Sequence, residues 1–393
     1  WAIWDQETTP YWNALKEAYE AANPNVTIEM VDLGSTDYMT VLATELSGSG
    51  SDFDVVTIKD VPGYATLVQK NTLESLDAYI ADAGINLADF NGITDQVTVD
   101  GSLYELPFRS DYWLIYYNKD VFDAAGIAYP SNDMTIEDYD ALARQLTDTT
   151  YGSQVYGCHY HTWRSAVELF GILDGKHSIL DGNYDWMIPY YDMILSEEDD
   201  GVCQTYTDLS TEGLHYSAAF SNGNVAMMNM GSWFISTLIS NLDSGEYDSS
   251  LCGNWGIASY PHPDGAEAGS TIATITGLAV TSASANKDAA FDFVNWVSGT
   301  EGAKVMASTG NFPAIMTDDV INTIAGMAGF PTDESSKEAL NITNAYLEVP
   351  YAENVSEINS ILDTYHTSIM NREVTVEEGV ASMNEQVGKI LNQ

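Results

Sequence analysis

The side chains of this sequence with the most chemical reach are few and widely spaced. Phe108-Arg109-Ser110-Asp111 sets opposite charges in an apolar setting, between Leu106-Pro107 and the run Tyr112-Trp113-Leu114-Ile115-Tyr116-Tyr117. Lys59-Asp60 follows directly on Asp54-Val-Val-Thr-Ile58, and Gly231-Ser232-Trp233 on Val225-Ala-Met-Met-Asn-Met230. Ionised side chains make the stronger hydrogen bonds, and indole rings offer flat apolar faces with a polar edge. Groups of both kinds at strand ends can grip a partly polar ligand. Trp233 has a second reading as interface core, and Arg109 as the ion-pair partner of Asp111.

Bond-making signatures are missing. The sequence contains no H-E-x-x-H, G-x-S-x-G or G-x-G-x-x-G. Gly171-Ile-Leu-Asp-Gly175-Lys176 is one residue short of a phosphate loop and is followed by His177. His159 and His161 alternate in a loop without a clear third ligand, so neither metal nor cofactor is expected. Paired carboxylates of the glycoside-hydrolase kind stay open, because acids are so numerous.

With 393 residues the chain is too long for one ordinary core, so two domains are expected. Lys and Arg number 13 against 58 Asp and Glu, a net charge of −45 spread along the chain. That field repels polyanions, which excludes nucleic acid, anionic lipid and phosphorylated metabolites and favours a neutral or cationic ligand. Solubility alone is the other explanation of the acidity. Cys158, Cys203 and Cys252 form no C-x-x-C, and at least one must be unpaired. No apolar run approaches a membrane span. No basic leader opens residue 1 onward, as expected of a chain whose leader has been removed. The 24 Tyr and 9 Trp against 11 Phe suit a binding surface that is partly polar.

These groups need elements to hold them. Trp12, Leu15, Tyr19 and Ala22 mark a helix ended by Asn23-Pro24, and Val26, Ile28 and Met30 alternate as a strand. A helix over 37–47 runs into Ser47-Gly-Ser-Gly-Ser51, and residues 54–58 read as a buried strand. That alternation predicts a parallel α/β sheet, with Lys59-Asp60 at a strand's carboxyl end where ligands collect. Asp100-Gly101 predicts a type I′ turn between Val97, Val99 and Leu103, Leu106. Pro107 should stop that pairing, and residues 112–117 should form a separate strand buried on both faces. Thr135 caps a helix with Asp138 in a capping box. Residues 210–222 read as one helix; 225–230, 255–260 and 275–281 read as strands. Gly277 marks a close approach.

Four patterns together resemble the family 1 extracellular solute-binding proteins of ABC importers, the carbohydrate-binding group that includes maltodextrin-binding protein. They are Asp54-Val-Val with Lys59-Asp60; Asp100-Gly-Ser-Leu-Tyr-Glu-Leu-Pro107 to Tyr117-Asn-Lys-Asp120; Phe220-Ser-Asn-Gly-Asn-Val-Ala-Met227 to Trp233; and Asn286-Lys-Asp-Ala-Ala-Phe-Asp-Phe-Val294 with Gly302. The resemblance implies an α/β fold of two lobes with a ligand cleft at their interface. Three hinge crossings would lie near 109–112, 256–260 and 311–315, giving an N-terminal lobe of 1–109 plus 261–311 and a C-terminal lobe of 112–256 plus 315–393.

It further implies a non-enzymatic, monomeric protein that captures a neutral oligosaccharide by lobe closure and delivers it to the membrane permease of an ABC importer. The location would be extracytoplasmic, lipid-anchored at a Gram-positive surface or free in a periplasm, with the acidity leaning towards the anchored form. By the resemblance, Trp233 is the stacking tryptophan, Asp60 and Asp111 are acidic ligand contacts, and Tyr160 is an aromatic contact. Trp4 and Asp5 match the first strand end, and Asn311 and Phe312 the loop at the third crossing. Cys158 stands where the maltodextrin group often has an acid, a departure from its pattern. Lys59 and Arg109 complete the hydrogen-bonding set. The alternatives are a secreted carbohydrate-active enzyme, or a binding protein for a peptide or polyamine.

Overall fold

Short branched and aromatic runs make the strands of this protein. The structure, a computed structural model, describes residues 1–7, 9–48, 52–147 and 154–392. Among them the strands are Ala2–Ile3 (β1), Val31–Asp32 (β2), Val55–Ile58 (β3), Leu106–Asn118 (β4), Tyr156–His159 (β5), Val225–Gly231 (β6), Trp255–Ser259 (β7), Thr271–Val280 (β8) and Ala345–Leu347 (β9). The residues divide into two units: 1–111, 273–327 and 349–356 in the first; 112–272, 328–348 and 357–393 in the second. The divisions fall at Asp111/Tyr112, Ile272/Ala273 and Met327/Ala328, and residues 349–356 return to the first unit.

In the first unit β1 pairs in parallel with β2 and β3, and β3 pairs antiparallel with β8, Val55 opposite Val280 and Ile58 opposite Gly277. Helices Pro10–Ala22 and Tyr38–Ser47 link β1 to β2 and β2 to β3. The expected parallel sheet is therefore mixed once β8 joins. Residues 26–30 are not a strand; extended pairing starts at Val31, whose amide donates to the Trp1 carbonyl at 2.8 Å. The serine–glycine stretch of 49–51 lies outside the described residues.

In the second unit β4 pairs antiparallel with β6 and β7, and β6 runs parallel to β5. Every residue of β6 is buried.

Local rules account for many boundaries. Pro62 sits in the first turn of Val61–Gln69, and Gly126 takes φ 68° beyond Lys119–Ala125. Thr135 and Asp138 close a reciprocal capping box at the start of Ile136–Leu146. Asp100 (φ 49°) and Gly101 (φ 82°) make the I′ turn, bracketed by two bonds between Val99 and Ser102. Gly277 is the expected close approach, for a Cβ there would lie 2.1 Å from Oε2 of Glu105.

Two expectations fail. Pro107 does not end a strand; β4 runs unbroken over 13 residues because the proline is only its second residue, where a missing donor matters least. Phe108-Arg-Ser-Asp111 thus lies within one strand and not between two. Residues 210–222 form two helices, Tyr206–Glu212 and Tyr216–Ser221, because Gly213 takes φ 62° and ends the first.

Candidate functional site

In the first unit the expected residues gather at the carboxyl ends of β1 and β3. Trp4 follows β1, its ring edge-on to Trp12 and Tyr38 at 5.1 and 4.9 Å, and its carbonyl accepts the Trp12 indole N–H at 2.7 Å. Lys59 follows β3; its Nζ stands 5.2 Å from the Trp4 ring centre and donates to the Ser35 carbonyl at 2.8 Å. The Asp5 carboxylate accepts the Ser35 amide at 3.1 Å. Asp60 caps Val61–Gln69 through the Gly63 amide at 2.7 Å. It is exposed by area, yet crowding by surrounding protein raises its pKa against the pull of that amide and of Lys59.

A second group is joined to the first through aromatic rings. Trp12 meets Tyr11 at 4.4 Å, and the Arg109 guanidinium lies 5.6 Å from the Tyr11 ring centre. Arg109 pairs with Asp111 at 2.8 Å and reaches the Tyr11 hydroxyl at 3.4 Å. Arg109 is the one residue of β4 that is not buried. Burial alone would lower its pKa, but Asp111 and Tyr11 hold the cation and the net shift is upward. Both readings of Arg109 thus meet in one side chain, which is ion-paired and also presented at a partly open position. Trp4, Trp12, Tyr11, Arg109 and Asp111 form a continuous line of contacts.

Phe312 lies against the Arg109–Asp111 stretch through its backbone, next to the Arg109–Pro313 bridge. It is 1% exposed, and its carbonyl accepts the Ser110 amide at 3.2 Å. The Asn311 side chain folds back on Thr309.

The second unit carries a wall of indoles. Trp233 opens the helix Trp233–Ser244 directly after β6, edge-on to Trp113 at 5.6 Å and 6.2 Å from Trp163. Trp113 and Trp163 are perpendicular at 6.3 Å, and Trp163 is 39% exposed. The Trp113 indole N–H is buried without an acceptor among the described residues. His161 packs on Trp163 at 4.6 Å and on Tyr216 at 5.4 Å.

Tyr160 borders this wall from the interior, lining a small pocket with Trp113, His161 and Trp163. Side chains alternate along an extended segment, so Tyr160 shares the interior face of Cys158 while His161 turns the other way. Its ring sits 6.4 Å from both Tyr139 and Phe170, 5% exposed. His159 and His161 have ring centres 6.4 Å apart, and burial lowers their pKa values to about 3 and about 4.

Sequence reasoning missed Tyr11, Trp12, Trp113 and Trp163 as site residues. Trp12 read as part of an amphipathic helix face, and Trp113 as one residue of a strand buried on both faces. Thr162-Trp163 just before a helix was the available signal.

Residues 5–304 match the family model described as bacterial extracellular solute-binding protein. The chain belongs to that family. Its members bind solutes, and the two-lobe α/β fold is theirs. A sugar transporter from Rhizobium etli, solved in an open conformation, is 47% identical, with a TM-score of 0.93 over 99% of this chain and 98% of that one. The mannitol-binding protein of Pseudomonas aeruginosa is 24% identical over 301 residues, 75% of this chain and 67% of that protein. A putative binding protein of Brucella abortus is 27% identical over 244 residues, and the match spans only 56% of its length.

Proposed function

We propose that this solute-binding protein captures a neutral oligosaccharide by closing its two units on it and hands it to the permease of an ABC importer. The observation that carries the reading is the wall of Trp113, Trp163 and Trp233, half open in Trp163 and holding an indole N–H without an acceptor. Sugars offer apolar C–H faces to such rings. Their hydroxyl rims suit the charged groups of the first unit, Lys59, Asp60, Arg109 and Asp111, since charge-assisted hydrogen bonds are the strong kind. Closure and the hinge crossings belong to this reading, supported by a relative solved in an open conformation. So do a monomeric state and an extracytoplasmic, lipid-anchored location.

The net charge of −45 disfavours phosphorylated or otherwise anionic sugars. Micromolar affinity corresponds to about −8 kcal/mol, within reach of a few stacked rings and charge-assisted bonds after ordering losses.

A thermal-shift screen across di- to hexasaccharides tests it, because a ligand at ~100 times its Kd adds about 2.7 kcal/mol. One or more saccharides should raise the melting temperature and come back unaltered. A shift only with peptides or polyamines would sink the sugar assignment.

A further inference from the structure

The second unit holds a cluster that sugar binding does not use. Cys158 at the end of β5, Cys203 after the helix Ile188–Asp199, and Glu197 within that helix bring two Sγ atoms and a carboxylate oxygen within 4.8 Å of one another, all three residues buried. The Cys158 amide donates to the Val202 carbonyl at 3.4 Å, so the two backbones run side by side. Both cysteines are free, buried thiols in the structure. Cys252 stands elsewhere, at the end of the short helix Ser249–Cys252, its Sγ 3.7 Å from the Asp248 carbonyl.

We propose that Cys158 and Cys203 are joined by a disulfide in the mature protein, leaving Cys252 as the single free thiol. Two Sγ–H bonds break and one Sγ–Sγ bond forms. The two electrons and two protons pass to a disulfide oxidant, an oxidised dithiol protein or oxidised glutathione, which leaves as thiols. Extracellular surroundings, the location given by the family, favour such bonds; the inference rests on that location and not on the identity of the ligand. A disulfide is neutral and suits this interior, where burial drives the Cys158 thiol far up and raises Cys203 against the lowering influence of the neighbouring Cys158 thiol. Exchange needs a thiolate, so the bond forms before the core closes and persists once it has.

The bond also has a use. It fixes the end of β5, which leads directly into His161 and Trp163 of the indole wall, to the segment before the helix Tyr206–Glu212. A crosslink between positions 158 and 203 restricts the unfolded chain and steadies that end of the wall.

The test is a thiol count on the full chain folded in a glutathione redox buffer, denatured without reductant in the presence of an alkylating agent. One alkylated cysteine, Cys252, and a peptide pair linking Cys158 to Cys203 in the unreduced digest are expected. Three alkylated cysteines would overturn the proposal, and three with one equivalent of zinc would mark the cluster as a metal site instead. Reductant should lower the melting temperature of the wild type by several degrees and leave Cys203→Ser unmoved; equal melting of oxidised and reduced wild type would overturn the bracing role. Saccharide binding is measured on the same samples. Failure to bind any sugar would strike the proposed ligand and leave the thiol count standing.

Discussion

The ring of Trp233 lies back across the Cα of Gly231, so close that a Cβ on Gly231 would sit 2.1 Å from the indole. Glycine two residues before the tryptophan is therefore what lets the ring lean towards Trp113 and Trp163 rather than out over the helix. Trp233→Ala should weaken saccharide binding at least tenfold and leave the melting temperature of the free protein nearly unchanged, because the residue is only half-buried. Gly231→Ala should lose binding to a similar degree by displacing the ring, with added destabilisation, since overpacking a filled site costs about 1–3 kcal/mol. Titration calorimetry beside thermal melts separates the two. A Trp233→Ala protein that binds normally would remove the indole from the site.

The Arg109–Asp111 pair makes a different prediction. Both side chains are largely buried, 16% and 7% exposed, so removing one charge strands the other. Asp111→Asn should destabilise the free protein by about 3 kcal/mol, the usual range for breaking such a pair, and weaken saccharide binding as well. Arg109→Lys should keep the charge but lose the planar fork and the stacking on Tyr11, giving a smaller loss of stability and a comparable loss of affinity. Denaturant midpoints report the first effect and binding titrations the second. Unchanged affinity in both variants would leave the pair a purely structural feature.

What could be read in advance divides along physical lines. Pro62, Gly126, Thr135 with Asp138, and Asp100-Gly101 act through their own backbone preferences, so their elements were legible from a few residues. Pro107 and Gly213 carry the same kind of signal, but the outcome depended on position. Pro107 was harmless as the second residue of a long strand, and Gly213 split a helix that looked continuous. Site residues followed the same rule. Lys59 and Asp60 are fixed by the strand they follow. Tyr160 is set by strand parity, through the pairing of β5 with β6, on the side of Cys158, from where it borders Trp113, His161 and Trp163. The return of residues 349–356 to the first unit has no local signature, since only long-range packing produces it.

Three carboxyls crowded by protein, Glu105 and Glu197 buried and Glu348 half-buried, give the stability a direction in pH. Burial, with Asp60 nearby, pushes Glu105 up to about 8; burial raises Glu197 to about 8; burial and Glu168 raise Glu348 to about 7. The ordinary value is 4.5, so between these limits the unfolded chain gives up protons that the folded chain keeps. This contribution is complete below 4.5 and is lost as pH rises through 7 to 8, by up to about 1.4 kcal/mol per pH unit for each group. The imidazoles of His159, His161 and His366, lowered by burial to about 3, about 4 and about 3, act in the opposite direction up to their ordinary value of 6.5, so the melting temperature should fall chiefly between about pH 6.5 and pH 8. Glu105→Gln, whose side chain cannot ionise beneath Gly277, should flatten the slope and melt at or above wild type on the alkaline side. An identical slope in the variant would mean that Glu105 does not titrate in this range.

Salt should stabilise the chain, against the usual expectation for ion-paired proteins. Nine of the 13 basic side chains already lie in ion pairs among the described residues, as in Lys16–Glu20, Arg144–Asp140 and Lys287–Glu74. With 58 acids in all, most carboxylates have no cation to offset them. Exposed pairs contribute little, about 0–1 kcal/mol each, so screening them loses less than screening the self-repulsion of a −45 surface gains. Raising ionic strength from ~0.01 M to ~0.1 M shortens the screening length from about 30 to about 10 Å, which covers most of the repulsion between neighbouring acids. The melting temperature should climb over that interval and then level off, equally for sodium and choline chloride. A rise with sodium alone would point to a bound cation, and a fall with both would mean that the ion pairs outweigh the repulsion.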